Sequence, residues 1–188
     1  MTNSEGQNDV RFGLSCDAGC ELPDIEELAL LVYDFDGVMT DNKVMIDEDG
    51  RESVVVNRSD GLAVAEFKKL GVRQFILSTE VNAVVLRRAD KLGIPCLNNC
   101  ADKRAALQAY LQKNQVNANK VVYCGNDIND LAVMQIVGLP VAPADANWRI
   151  REIAKYVTRA RGGEGVIREL YDVLVRPMDE LPENLVAA

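Results

Sequence analysis

Histidine is absent from the 188-residue sequence, which removes imidazole both as a catalytic base near neutral pH and as a metal ligand. Any chemistry falls to carboxylates, lysine, thiols and hydroxyls. Aromatic residues supply only 5% of the chain, so aliphatic side chains must build the core. Positive charge is in deficit, with 21 Lys and Arg against 29 Asp and Glu and a formal net charge of −8. That balance argues against nucleic acid or an anionic membrane surface as the main partner. An anionic substrate would need a local positive cluster or a bound metal. No apolar run approaches the ~20 residues of a membrane span; the longest covers residues 28–33. The N-terminus is polar and acidic, with no basic region or apolar signal core, so a cytoplasmic location is expected. Five cysteines (Cys16, Cys20, Cys96, Cys100 and Cys124) cannot all pair. Their C-x3-C spacings are not those of common zinc folds, and they read as reduced thiols.

What is present is ordinary globular material, 48% hydrophobic and 27% charged. The length is about 1.25 times a 150-residue domain, which suggests one domain with appendages. We place flexible tails at 1–22 and 177–188, and a single domain at 23–176. Strands are expected at 28–33, 73–77, 94–97, 121–124, 140–142 and 156–158. Helices are expected at 61–70, 81–92, 102–113, 129–137, from about 148, and at 165–175. Two short strands at 44–46 and 53–56 flank Asp49-Gly50, a hairpin-turn signal. Strands alternating with helices indicate an α/β fold, a doubly wound Rossmann-like parallel sheet with a β-hairpin after the first strand. Ligands of such sheets bind beyond the carboxyl ends of the strands.

The strand tips carry the chemistry-bearing residues. After the first strand comes Asp34-Phe35-Asp36-Gly37-Val38-Met39-Thr40-Asp41. Two carboxylates there cannot sit in a core unpaired; they form either a solvated acidic turn or half of a cation site. With no histidine the donor set is all oxygen, which favours Mg2+ over zinc. The next tip carries Ser78-Thr79-Glu80, a phosphate-binding hydroxyl or simply a helix N-cap. Lys103 opens a helix, where a positive charge is mildly unfavourable. The fourth tip reads Gly125-Asn126-Asp127-Ile128-Asn129-Asp130, further oxygen donors or helix caps. Four successive tips offering carboxylates, a hydroxyl, a lysine and carboxylates argue for one composite site.

The order DFDGVMTD, LST, Lys103, GNDIND resembles the four motifs of haloacid dehalogenase (HAD) superfamily phosphatases, over residues 28–175. The resemblance implies a HAD-like fold in which Asp34 attacks phosphorus to form an aspartyl-phosphate. Asp36 would act as general acid and then base, with Ser78 and Lys103 balancing phosphoryl charge and Mg2+ as cofactor. The implied metal ligands are Asp34, Asp36 and the fourth motif. The usual aspartate after its glycine is here Asn126, so either Asn126 or Asp127 supplies the oxygen. Asp130 would orient waters or Lys103.

About 20 residues separate the first motif from Gly61, too few for a cap domain. That resembles the capless sugar-acid phosphatases acting on 3-deoxy-octulosonate 8-phosphate or nonulosonate 9-phosphates, and the phosphatase-like module of acylneuraminate cytidylyltransferases. The Gly162-Gly163-Glu164-Gly165 stretch is similar to their Gly-rich loop, and is also an ordinary helix-entry turn. Thr79 and Glu80 stand where octulosonate phosphatases tend to carry Gly-Arg. Glu80, Arg88 and Lys91 match a Glu-x7-Arg-x2-Lys pattern similar to nonulosonate phosphatases. The expected substrate is a nonulosonate 9-phosphate, bound by Thr79, Glu80, Arg88 and Lys91. Arg88 and Lys91 would form one cationic patch reaching a neighbouring subunit's site. An octulosonate 8-phosphate, or a catalytically weak assembly domain, are the alternatives. A homotetramer is expected from the resemblance and from the apolar hairpin residues Val44, Ile46, Val54 and Val56.

Overall fold

A computed structural model describes residues 22–175. Residues 1–21 and 176–188, covering nearly all of both expected tails together with Cys16 and Cys20, lie outside the described residues. The strands in chain order are β1 (Leu30–Tyr33), β2 (Met45–Ile46), β3 (Glu52–Ser53), β4 (Arg73–Leu77), β5 (Cys96–Leu97), β6 (Val121–Cys124), β7 (Leu139–Ala142) and β8 (Tyr156–Val157). The α-helices are α1 (Arg58–Lys69), α2 (Ala83–Leu92), α3 (Lys103–Asn114), α4 (Leu131–Met134), α5 (Trp148–Ile153) and α6 (Val166–Val175).

All four residues of β1 are buried. Successive strand side chains point to opposite faces, so Leu31 and Tyr33 enter one apolar cluster while Leu30 and Val32 enter the other. The first cluster is closed by α1, α2 and α6, through residues such as Phe67, Val85 and Leu170. The second is closed by α3, α4 and α5, through Leu107, Met134 and Ile150. Phe67 meets Tyr171 edge-on, with ring centroids 5.2 Å apart; burial of one such side chain stabilises by about 2–3 kcal/mol.

The main sheet runs β5-β4-β1-β6-β7-β8, every neighbouring pair parallel. From β1 the chain builds outward through β4 and β5, then returns to the other side of β1 with β6. The winding direction therefore reverses between β1 and β6. In doubly wound sheets this switch point, at the carboxyl ends of the strands, is where a ligand crevice opens. Asp34 follows β1 there, and Gly125 follows β6.

Several boundaries differ from expectation because polar caps decide them. Asn57 accepts from the Ser59 amide and starts α1 three residues earlier than expected. Asn82 accepts from the Val84 amide and delays α2 to Ala83. The helix expected at 129–137 is a 3-10 turn at Ile128–Asp130 followed by the short α4, because Asp127 and Asp130 cap each other. In the hairpin, the Asp47 carboxylate accepts from the Asp49 and Arg51 amides. This tight turn leaves β3 at Glu52–Ser53, and Val56 instead bridges to Thr40. Among the described residues no helix is long and apolar enough to cross a membrane, and Cys96, Cys100 and Cys124 are free thiols.

Candidate active site

Asp34, 4% exposed, is locked at the tip of β1. Its amide donates to the Cys124 carbonyl (2.9 Å), and its Oδ1 accepts from the Phe35 amide at 2.7 Å. Lys103, in the first turn of α3, lies between Asp34 Oδ2 (2.8 Å) and Asp130 Oδ1 (2.7 Å). Asp102 caps that helix by accepting from Ala105, which fixes where the lysine emerges. Asp130 is fully buried and saturated: Tyr123 Oη donates to Oδ1 at 2.7 Å, and the Asn126 amide donates to Oδ2 at 2.8 Å. A Cβ on Gly125 would overlap the Asp130 carboxylate, so this approach requires glycine.

Asp36 is half-buried and held by Thr40, whose Oγ1 donates to Asp36 Oδ1 (3.3 Å) while accepting from the Gly37 amide (3.2 Å). Gly37 has φ +77°, and the Asn126 side chain occupies the space where its Cβ would be. Asn126 is thus buried against the DFDG loop. Asp127 is exposed, with Oδ1 accepting from its following amide, Ile128, at 2.7 Å. Ser78 is buried at the tip of β4 and its Oγ accepts from the Glu80 amide at 3.1 Å. It forms a turn, and Asn82 takes the helix-capping position. Asp34, Asp36, Ser78, Thr79, Glu80, Asn126 and Asp127 line one cleft of ≈ 330 Å³.

The Gly-rich loop backs this arrangement. The Gly163 amide donates to the Val38 carbonyl (3.0 Å), and side chains at Gly162 or Gly163 would overlap the backbone of Gly37, Thr40 and Asp41.

Electrostatics follow from the burial. Desolvation, then the charge of Asp130, push the Asp34 carboxyl well above the ordinary range, with Lys103 opposing. Burial pulls Lys103 down, but Asp34 and Asp130 outweigh it and its pKa rises, so the ammonium is retained. Desolvation and the Glu80 charge raise Asp36, against its Thr40 hydrogen bond. Two carboxylates therefore share one lysine, with a third carboxylate facing the same cleft. A divalent cation would supply the missing positive charge. The chemistry of the donors lining the cleft suits one: the Asp34 carboxylate, a main-chain oxygen of Asp36 and the Asn126 amide oxygen are hard oxygen ligands of the kind Mg2+ takes.

Two expected substrate residues are elsewhere. Arg88 is buried, and its Nη2 donates to the Asn57 carbonyl at 2.9 Å. Burial lowers the guanidinium's pKa, with the neighbouring Asp60 charge opposing, and the side chain forms no surface patch with Lys91, which is exposed on the same helix. Neither lines the cleft. Thr40 and Tyr123 were missed in the sequence. Thr40, four residues after Asp36, carried a signal in its spacing; Tyr123, within a continuous apolar strand, carried none.

Comparison with known proteins agrees with the geometry. Residues 71–170 match the family model for haloacid dehalogenase-like hydrolases. The chain is 34% identical over 155 residues to the 3-deoxy-D-manno-octulosonate 8-phosphate phosphatase of Yersinia pestis, covering 82% of this chain and 83% of that one. It is 33% identical over 159 residues to the Escherichia coli K12 enzyme of the same name, covering 84% and 85%. Among solved structures, a HAD family chain from Streptomyces avermitilis superposes with TM-score 0.82 at 44% identity, covering 87% and 95%. The octulosonate phosphatase of Moraxella catarrhalis, solved with magnesium, phosphate and its sugar acid, superposes at 0.78 with 26% identity, covering 81% and 88%. A Haemophilus influenzae relative was solved in a cobalt-bound form. With its strand-tip carboxylates, its single hairpin in place of a cap domain and relatives of this kind, the chain belongs to the haloacid dehalogenase-like hydrolases, in the capless group of sugar-acid phosphate phosphatases.

Proposed function

We propose that the protein is a Mg2+-dependent phosphomonoesterase that works through an aspartyl-phosphate on Asp34. The observation that carries this reading is Lys103 held between Asp34 and Asp130 at 2.8 and 2.7 Å, with Asp36 opening on the same cleft. Asp34 attacks phosphorus; an Asp34 Oδ–P bond forms as the ester P–O bond breaks. Asp36, whose pKa is raised, donates its proton to the departing alkoxide and then takes one from the water that opens the aspartyl-phosphate. Lys103 and Ser78 offset charge on the transferring group. Asp34 and Asn126 would hold Mg2+ through their side chains and Asp36 through its main-chain carbonyl, which leaves the Asp36 carboxyl free to carry the proton. The cation would offset negative charge between the phosphoryl oxygens and the attacking carboxylate. Asn126 is favoured over Asp127 because it is buried against the DFDG loop, whereas Asp127 is exposed and commits its Oδ1 to capping.

The substrate is a sugar-acid phosphate, and Thr79-Glu80 at the cleft favours a nonulosonate 9-phosphate. The identity to octulosonate phosphatases favours the eight-carbon substrate as second reading. A homotetramer completes the proposal, supported by Met45, Ile46 and Val55 on the hairpin, each 62–73% exposed. Hydrolysis of p-nitrophenyl phosphate with Mg2+ against EDTA tests the chemistry, kcat/KM for both sugar phosphates tests the substrate, and light scattering tests the assembly. EDTA-insensitive turnover, preference for the octulosonate, or a monomer at micromolar concentration would overturn the respective part.

A further inference from the structure

The catalytic cleft continues past Asp36. Through Asp36, Asn42 and Glu80 it joins a second chamber of ≈ 200 Å³ between the hairpin and the start of α2. That is smaller than the ~300–1,000 Å³ typical of pockets that swallow whole ligands, so it suits one segment of a molecule. Val44, Val54, Val84 and Val85 form its apolar walls. Its polar walls are Asn42 and Asn82, which offer amides, and Glu52 and Glu80, which offer carboxylates. Asn82 Nδ2 donates to Glu52 Oε2 and ties the hairpin to the end of α2 that faces the chamber. Among the described residues Lys43 is the single cation of the lining, and its ammonium is paired with Asp41 at 3.2 Å. Glu52 and Glu80 therefore leave the chamber with an excess of negative charge.

We propose that this chamber is the leaving-group site and selects a neutral, hydroxyl-rich carbon segment next to the phosphoester oxygen, with Glu52 as the residue that rejects an anionic one. The proposal rests on the phosphatase reading and adds to it the chemistry of the alcohol. Position carries the argument: the chamber opens at Asp36, the residue that must reach the departing oxygen. Hydroxyls donate to Glu52 and Glu80 in charge-assisted hydrogen bonds and accept from the two asparagine amides. The valines pack against the C–H faces between them. A carboxylate in the same space would meet two glutamates while the Lys43 ammonium is already paired, a repulsive element that gives selectivity. A sugar acid phosphorylated at the end remote from its carboxylate satisfies both demands, because its charge lies beyond the chamber.

The test compares kcat/KM for ribitol 5-phosphate and phosphoglycolate, with Mg2+, in the wild type, Glu52→Gln and Glu52→Asp. The wild type should prefer ribitol 5-phosphate. Glu52→Gln keeps an acceptor for Asn82 but removes the charge, and the preference should fall by roughly fivefold, the upper range for a partly exposed charge pair. The fall should come mainly from a lower KM for phosphoglycolate, and Glu52→Asp should retain the wild-type ratio. An unchanged ratio in Glu52→Gln, or a wild type that prefers phosphoglycolate, overturns the proposal alone. A wild type that hydrolyses neither ester nor p-nitrophenyl phosphate overturns the phosphatase reading and this proposal with it.

Discussion

Asp34 and Asp60 are both buried carboxylates with a basic side chain close by, and their surroundings differ in kind. Asp34 sits at a strand tip with each oxygen held, one by Phe35 and one by Lys103. Asp60 lies in the first turn of α1 and is 1% exposed. Its Oδ1 accepts from the Arg168 amide at the start of α6 (3.0 Å), while its Oδ2 has no partner. The guanidinium of Arg88 stands nearby but spends Nη2 on the Asn57 carbonyl and leaves Nε without one. Burial raises the Asp60 carboxyl to about 6 even though the α6 amides and Arg88 pull it down. The first acid is built into a cleft whose other members supply charge. The second joins α1, α2 and α6 and opens on no chemistry. Burial next to a cation therefore does not by itself identify a reactive carboxylate; access to the strand-tip crevice does.

The largest effect expected from breaking this contrast is on turnover. Asp34→Asn keeps shape and removes the nucleophile, so kcat on p-nitrophenyl phosphate should drop by about 10⁴-fold or more. The melting temperature should hold or rise, since a buried like charge is removed. A variant retaining a tenth of wild-type kcat would refute the covalent mechanism.

Lys103→Met comes next. It leaves Asp34 and Asp130 buried together without their cation, which should cost ~3–5 kcal/mol in urea unfolding along with activity. A loss under 1 kcal/mol would mean that the lysine does not hold the pair.

For Asp60 the expectation is a pH dependence. Its folded pKa of about 6 lies above the ~3.9 of an unfolded aspartate, so the folded state binds this proton more tightly. Stability from this group is therefore present at pH 4 and lost as pH rises toward 6. Asp60→Asn keeps the acceptor and lacks the titration. Its stability relative to wild type should increase between pH 4 and 7, by at most ~2–3 kcal/mol. A difference that is flat over that range would show that Asp60 is ionised throughout.

Arg88→Met should have the smallest effect, ~1–2 kcal/mol of stability from the Asn57 carbonyl left without its donor. Its kcat/KM should stay within about threefold of wild type. A tenfold rise in KM for a nonulosonate 9-phosphate would return Arg88 to the substrate.

How far the sequence carried the reading depended on the kind of signal. Apolar runs ending in acids or hydroxyls marked the tips of β1, β4 and β6, because a charge cannot continue into a strand buried on both faces. Asp34 and Ser78 stood out for that reason, Lys103 because a positive charge opens its helix, and Asp130 as part of the oxygen-rich run after β6. Arg88 did not, because helical spacing tells which residues share a face but not what the face meets. An Asn57 carbonyl and an Asp60 carboxylate waited there. Asp60 itself resembled any acid in a first helical turn; only the amides at the start of α6 required it inside. The cap positions of Asn57 and Asn82 were overlooked because apolar periodicity outranked the asparagines that end it.

The backbone seam between Gly162-Gly163 and the Gly37–Asp41 turn joins the last part of the described chain to its first chemical motif. During synthesis the DFDG turn leaves the ribosome early, and the surface that backs it leaves late. Central strands can assemble meanwhile, yet the turn holding Asp36 has nothing behind it until the glycines arrive. The wall behind that turn is thus complete only once Gly162 and Gly163 have emerged, and a polypeptide ending just before Gly162 carries every acid of the candidate site without it.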